Sequence, residues 1–261
     1  MFPLKDNIPT RRFPVVTVAL IALNVLVYLL LQKKTGLDFS GNSLDQQSLS
    51  QYAAVPYEIT HPGKACELAG QRLLCEGQPG VSGSAESSLP TWATVFTAMF
   101  SHAGLLHLGG NMLFLWIFGN NVEDSMGRVK FVAFYLLGGI AALALQVAIA
   151  PDAAVPTLGA SGAVAAVLGG YILLYPRARV VTAVFIVLFF ALIEIPALLV
   201  LGFWFLQQLA FGALDLTNPT GGGGGVAYFA HVGGFAFGLL LIKAFATYRS
   251  TVADQPRLPV Y

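Results

Sequence analysis

The run from Gly159 to Tyr175 reads GASGAVAAVLGGYILLY: seventeen residues without a charge, and near its start a serine, Ser161, set among small residues. Mainly apolar runs of roughly 17–25 residues have the length at which a helix crosses the hydrocarbon of a bilayer. A second such run, Ala227–Tyr248, carries His231 near its own start, in Ala230-His231-Val232-Gly233-Gly234. A polar or ionisable side chain at membrane depth is costly, and by default it points to function with a partner to be named. Here each run supplies the other's partner.

Outside these two runs the chain is of the same class. It is 261 residues long, 56% hydrophobic and 10% charged, with a mean hydropathy of +0.71, whereas soluble domains carry about a quarter charged residues. A net charge of +1 gives no basis for nucleic-acid binding. Six runs are long enough to span: Val15–Leu31, Leu105–Asn121, Val129–Ile149, Gly159–Tyr175, Ile195–Leu214 and Ala227–Tyr248. The fold expected is an all-α membrane protein, a six-transmembrane-helix bundle with a long exoplasmic first loop. It divides into an N-terminal segment 1–14, a core 15–248 that includes loop 33–92, and a tail 249–261. Val180–Ile193 is apolar but too short for a span that continues through Pro196, and reads as a membrane-surface or re-entrant segment leading into the fifth span.

The basic residues orient the bundle. Lys5, Arg11, Arg12, Arg128, Lys130, Arg177, Arg179, Lys243, Arg249 and Arg257 fall on one side, ten of the fourteen Lys and Arg. Lys33, Lys34, Lys64 and Arg72 lie in the long loop, so both termini are expected to be cytoplasmic, in a plasma (inner) membrane. The first run is followed by no A-x-A-like cleavage pattern and reads as an uncleaved anchor.

The loop holds the only cysteines, Cys66 and Cys75, on the oxidising face. A disulfide between them is the first reading. Two free thiols are the alternative, and a zinc site with His61 would want four ligands. The five glycines Gly221–Gly225 read as a flexible linker, because no Lys, Ser or Thr follows in the register of a phosphate cradle.

Chemistry gathers in three places. His107 and Asn111 are four apart, so on a helix they share a face and can converge on one oxygen. Acyl transfer needs such donors, although polar glue between helices uses the same pattern. Ser161 lies where a helix would begin, with free backbone N–H groups and the positive end of the helix dipole nearby. Behind it run two rows of small residues, Ser161/Ala165/Gly169 and Gly162/Ala166/Gly170, and Gly234 and Gly238 follow His231 with the same spacing. Small faces let helix backbones approach closely. If these meet, Ser161 and His231 come to hydrogen-bond distance, the arrangement that activates a weak nucleophile.

With these motifs the chain resembles the rhomboid intramembrane serine proteases. The residues that carry the resemblance are His102, His107 and Asn111 in His-x-x-x-x-His-x-x-x-Asn, Gly159-x-Ser161-Gly162, and His231-x-x-Gly234-x-x-x-Gly238. The resemblance implies a catalytic dyad of Ser161 and His231 without a required acid. It also implies an oxyanion site from His107, Asn111 and the Ser161 amide, and a structural part for His102. Its substrates would be membrane-anchored proteins, cut near the exoplasmic boundary of the lipid bilayer. Two features depart from the family. Trp92-Ala93-Thr94 stands where many members have Trp-Arg, and Ala165 stands where some have an aromatic that packs on the catalytic histidine. Another group must then hold the His231 ring.

Rival classes fit less well. A silent rhomboid-like adaptor would be expected to lose the serine or the histidine, and a transporter would show repeated halves with broken helices. There is no His-Glu-x-x-His spacing for a metalloprotease and no pair of intramembrane aspartates for an aspartyl type. Neither a metal nor a cofactor is expected. Glu194 reads as an interfacial carboxylate. Gln146, Gln207 and Gln208 read as hydrogen bonds between helices.

Overall fold

A computed structural model describes residues 2–32, 51–70, 72–81, 89–186, 189–217 and 226–247. The expectations for the glycine run 221–225, for the start of the long loop and for the tail 249–261 lie outside these residues.

The bundle is organised around α7 (Ser161–Leu174), of whose fourteen residues twelve are buried. A helix apolar on every side must be enclosed by others, and here α6 (Arg128–Ile149) and α9 (Tyr228–Phe245) enclose it. The small rows make this possible. A Cβ on Gly162 would stand 2.6 Å from Ala142 Cβ, and one on Gly138 would stand 2.5 Å from Ala166 Cβ, so α6 and α7 pack almost backbone to backbone. Around this core lie α1 (Val15–Gln32), α3 (Thr91–Phe100) and α8 (Ala197–Thr217). The helix α4 (Leu105–Phe114) passes through a wide turn, Leu115–Gly119, into α5 (Asn120–Met126). Among the described residues four helices are long and apolar enough to cross a membrane: α1, α6, α8 over Ala197–Leu216, and α9.

At 1.5 Å per residue, α7 is only about 21 Å long, against a hydrocarbon core of about 30 Å. The chain before it is non-helical, so its backbone groups need protein partners. Thr157 and Ala54 exchange both backbone bonds, at 2.9 and 2.8 Å. The Gly159 N–H donates to Ala98 O at 2.8 Å, and the Tyr57 N–H, in α2 (Pro56–Thr60), donates to Ala153 O at 3.2 Å. The segment that leads into Ser161 is thus stitched to the long loop and to α3.

The all-α expectation is corrected by two small sheets. β1 (Phe2–Asp6) pairs antiparallel with β4 (Arg179–Ile186), which pairs with β5 (Phe189–Pro196). The segment 180–193 is therefore a β-hairpin. Its Val-, Ile- and Phe-rich composition suits a pleated surface, and the central strand β4 is buried from Val180 to Val184. The chain leaves the sheet at Pro196, and the fifth apolar helix begins at Ala197, two residues later than its run in the sequence. Glu194 is exposed and lies 3.9 Å from Arg179, an ion pair worth about 0–1 kcal/mol. In the second sheet β2 (Cys66–Ala69) pairs with β3 (Arg72–Cys75), with Cys66 opposite Cys75 and the two joined as a disulfide. This hairpin docks through Cys66 N–H to Glu58 Oε1 at 2.7 Å, and burial pushes the Glu58 carboxyl up.

Two carboxylates fix the end of the bundle remote from Ser161. Glu123 receives the Val16 N–H at 3.0 Å, and the Thr17 N–H and Oγ1–H at 2.7 and 2.8 Å. It caps α1 with the charge that the positive end of a helix favours. Asp6 Oδ2 accepts from Tyr171 OH at 2.5 Å and from Asn121 Nδ2 at 2.7 Å, tying β1 to the last turn of α7 and to α5. Burial pushes the Asp6 carboxyl from 3.8 up to about 7, against the opposing pull of the Tyr171 hydrogen bond.

Because that carboxyl ionises in the unfolded chain well before it does in the fold, stability falls as pH rises from about 4 to about 7, then levels off. Asp6→Asn keeps an acceptor for Tyr171 and Asn121 without the charge. Thermal melts of the detergent-solubilised protein should show the variant above the wild type at pH 7, by an amount that shrinks as the pH falls toward 4. A difference that does not change with pH would contradict this account.

Candidate active site

Ser161 is the first residue of α7, and His231 lies in the first turn of α9. Ser161 Oγ and His231 Nε2 are 2.7 Å apart. The small faces behind them set this distance. A Cβ on Gly234 would collide with the Gly162 carbonyl, and one on Gly238 with the Ala166 carbonyl. Only glycines allow α9 to lie so close to α7. Gly233 serves the other side of α9, where a Cβ would stand 2.8 Å from Leu145 Cβ on α6. Gln146 Oε1 accepts the Ala230 N–H at 3.2 Å and fastens the start of α9 to α6.

The His231 ring is held from α8. Trp204 lies with its ring centroid 5.6 Å away at an interplanar angle of 36°, and this is the group that the sequence left unidentified when Ala165 took the aromatic's place. Gln208 Oε1 lies 2.7 Å from His231 Nδ1. The sequence reading of Gln208 as a hydrogen bond between helices agrees with this contact from α8 to α9, although it did not name His231 as the partner. The available signal was the spacing of four between Trp204 and Gln208, which puts both on one face of a helix.

On the other side of Ser161 stands the ring of His107, from α4. Gly159, at φ +122°, lies in the left-handed region, and a Cβ there would be 2.8 Å from His107 Cε1, 2.9 Å from Nε2 and 3.5 Å from Ser161 Oγ. Glycine is thus required both by the backbone and by the ring pressed against it. The Ala103 N–H donates to His107 Nδ1 at 3.4 Å, leaving Nε2 as the protonated nitrogen beside the Gly159–Ser161 turn. Asn111 sits one turn further along α4, buried, and its Nδ2 has no hydrogen-bond partner among the described residues. His102 is fully buried: its Nε2 accepts the Ala160 N–H at 3.4 Å, its own N–H donates to Gln32 Oε1 at 3.0 Å, and its ring meets His107 edge-on at 5.2 Å. It therefore holds the residue before Ser161 and ties it to the end of α1.

A cavity of about 560 Å³ reaches Ser161, His231 and His107, and Leu68 and Leu73 of the disulfide-closed hairpin line part of its wall. Those two leucines are opposite one another in the β2–β3 register, on the face that also carries the cysteines. The arrangement holds a hydroxyl against an imidazole, beside N–H donors, at a cavity of ample size for water or a peptide segment. Among the described residues there is no group of three or more His, Cys, Asp or Glu able to hold a metal.

A family model described as "Rhomboid domain" matches residues 90–248. Among curated proteins, the chain is 33% identical over 153 residues to "Rhomboid protein 1, mitochondrial" of Saccharomyces cerevisiae, covering 56% of this chain and 40% of the yeast protein. It is 31% identical over 148 residues to "Presenilin-associated rhomboid-like protein, mitochondrial" of Mus musculus, covering 55% and 35%. With "Rhomboid-like protein 11, chloroplastic" of Arabidopsis thaliana it shares 28% over 174 residues, covering 64% and 58%. The chain thus spans between about a third and three fifths of the length of these relatives.

The close approach of α7 and α9 has a direct test. Gly234→Ala should force the helices apart, and an overpacked contact of this kind costs about 1–3 kcal/mol. Labelling of Ser161 by a fluorophosphonate probe should slow at least 10-fold. Gly110→Ala, where a Cβ meets nothing within 4 Å, should label as the wild type does. Equal labelling rates for both variants would show that the dyad does not depend on this packing.

Proposed function

The chain belongs to the rhomboid family, and on that premise we propose that it is an intramembrane serine endopeptidase with Ser161 as nucleophile and His231 as base. The observation that carries this reading is the 2.7 Å contact between Ser161 Oγ and His231 Nε2. The protein is an integral, multi-pass membrane protein. In the proposed topology α1, α4–α5, α6, α7, α8 and α9 are the six spans, the helix α7 being short because its neighbours enclose it. Both termini face the cytoplasmic side, as the ten basic residues on that side suggest. The active site then opens toward the exoplasmic side, with the disulfide hairpin of the long loop beside it. The words mitochondrial and chloroplastic in the relatives' names count against the plasma membrane expected from the sequence.

In the reaction proposed, neutral His231 takes the Ser161 hydroxyl proton on Nε2 as Oγ bonds to the scissile carbonyl carbon. The oxygen that becomes negative is met by three donors: His107 Nε2–H, the unpartnered Asn111 Nδ2–H, and the Ser161 N–H at the free start of α7. The imidazolium gives its proton to the leaving amine, the peptide C–N bond breaks, and an acyl-serine remains. Water from the cavity then attacks the ester, its proton passing through His231 to Ser161 Oγ. A substrate segment must be extended to present its peptide bond, so the substrates proposed are transmembrane or membrane-anchored proteins whose helices unwind near the exoplasmic boundary. The Leu68/Leu73 wall would line their path.

Fluorophosphonate labelling of the solubilised protein, paired with cleavage of a membrane-anchored substrate, tests the assignment. Wild type should label and cleave, while Ser161→Ala and His231→Ala should do neither. Asn111→Ala should label and cleave roughly 10²–10³ more slowly, the usual loss of one oxyanion donor. Labelling that survives Ser161→Ala would place the nucleophile elsewhere. A folded wild type that neither labels nor cleaves would favour a silent adaptor.

A further inference from the structure

We infer that Gln208 is a positioning residue for the reaction, setting the tautomer of His231 through an uncharged acceptor; this rests on the endopeptidase reading above. The argument starts from proton accounting. Ser161 Oγ–H can donate to His231 Nε2 only if Nε2 carries the lone pair, so in the neutral ring the single proton must be on Nδ1. An Nδ1–H buried without an acceptor would cost about 1–3 kcal/mol and would push the ring toward the tautomer that cannot act as base. Gln208 Oε1, 2.7 Å from Nδ1, is the acceptor.

The geometry leaves little freedom to that amide. Gln208 is 7% exposed and lies on α8 one turn from Trp204, whose ring packs on the same imidazole. The two side chains from one helix face thus set both the plane and the proton of His231. With the proton on Nδ1 the Gln208 Nε2–H₂ end would oppose donor to donor, so the base-competent tautomer pairs with Oε1. When His231 takes up the serine's proton, the Nδ1–H···Oε1 bond becomes charge-assisted and strengthens. A carboxylate would stabilise the cation more, but a charge kept at this depth is expensive throughout the resting state. The amide supplies the direction without that cost. Gln208 touches neither substrate nor the reacting oxygen, and it acts only through His231.

The test uses the full chain in detergent, with variants of matched shape. Gln208→Leu removes the acceptor, while Gln208→Glu keeps an oxygen at the same reach. For cleavage of a membrane-anchored substrate, Gln208→Leu should lower kcat roughly 10- to 100-fold, a part of the 10²–10⁴ that a positioned base supplies. KM should stay within about twofold and the melting temperature should not fall. Gln208→Glu should recover most of the lost kcat. Independently of turnover, nitrogen NMR of ¹⁵N-histidine-labelled protein should find His231, identified by its loss in His231→Gln, protonated on Nδ1 in the wild type. That signature should be lost in Gln208→Leu.

An Nε2–H tautomer in the wild type, wild-type kcat in Gln208→Leu, or equal loss in both variants with a lowered melting temperature would each overturn the proposal. If the tautomer behaves as expected while the wild type neither labels nor cleaves, the positioning role stands and the endopeptidase reading falls.

Discussion

The site depends on how closely two helix backbones can approach. A serine and a histidine that are 70 residues apart in sequence meet at 2.7 Å because α7 and α9 present bare backbone to each other. Gly234 faces the Gly162 carbonyl and Gly238 the Ala166 carbonyl, with no room for a Cβ at either. Inside a membrane there is little hydrophobic drive to press helices together, so close van der Waals packing has to supply the association. The same small residues that hold the bundle therefore also assemble the dyad.

The second constraint is depth. Starting α7 at Ser161 puts the proposed nucleophile at a helix N-terminus, where free N–H groups and the dipole favour a developing negative charge. The consequence is a stretch of irregular backbone before it. That stretch survives because Ala54, Ala98 and the His102 ring take up the backbone groups of Thr157, Gly159 and Ala160. His102 thus holds the backbone one residue before Ser161. The long loop, outside the family match at 90–248 except for its last residues, is part of the support of the site.

Much of this was legible in the sequence, for reasons specific to membranes. Apolar runs announce the helices, the polar and small residues in them singled out Ser161, His231, His107, Asn111 and the paired glycines, and the resemblance to the rhomboid family supplied the roles expected of them. Three features were not legible. The segment 180–193 was correctly denied a span by its length, but apolar runs of that size do not distinguish a strand from a surface helix. Its partner, β1, is five residues at the other end of the chain, and no local pattern reports so distant a pairing. The holder of His231 was hidden for a similar reason. Trp204 and Gln208 look like ordinary residues of an apolar helix until the packing of α8 on α9 brings them to the ring. Glu123 and Asp6 were overlooked because an acid whose partners lie more than a hundred residues away has no sequence signature.

The remote polar cluster bears on the site through α7 itself. That helix is short and free of charged groups along its length, and its close contacts with α6 and α9 seat it in the bundle. Polar bonds add to this at both of its ends. At one end Gly159 is fixed to Ala98 and Ala160 to His102; at the other, Tyr171 is bonded to Asp6, and Tyr175 OH donates to Asn121 O at 3.0 Å. Asp6 is in turn held by β1 against β4, whose hairpin leads directly into α8 and so to Trp204 and Gln208. Bonded neighbours thus connect the N-terminal strand with α7, which begins at Ser161, and through β4 and β5 with α8, whose Trp204 and Gln208 meet His231. The small sheet that breaks the all-helical pattern adds a second tie, at the far end of the bundle, to the glycine contacts that bring α7 and α9 together.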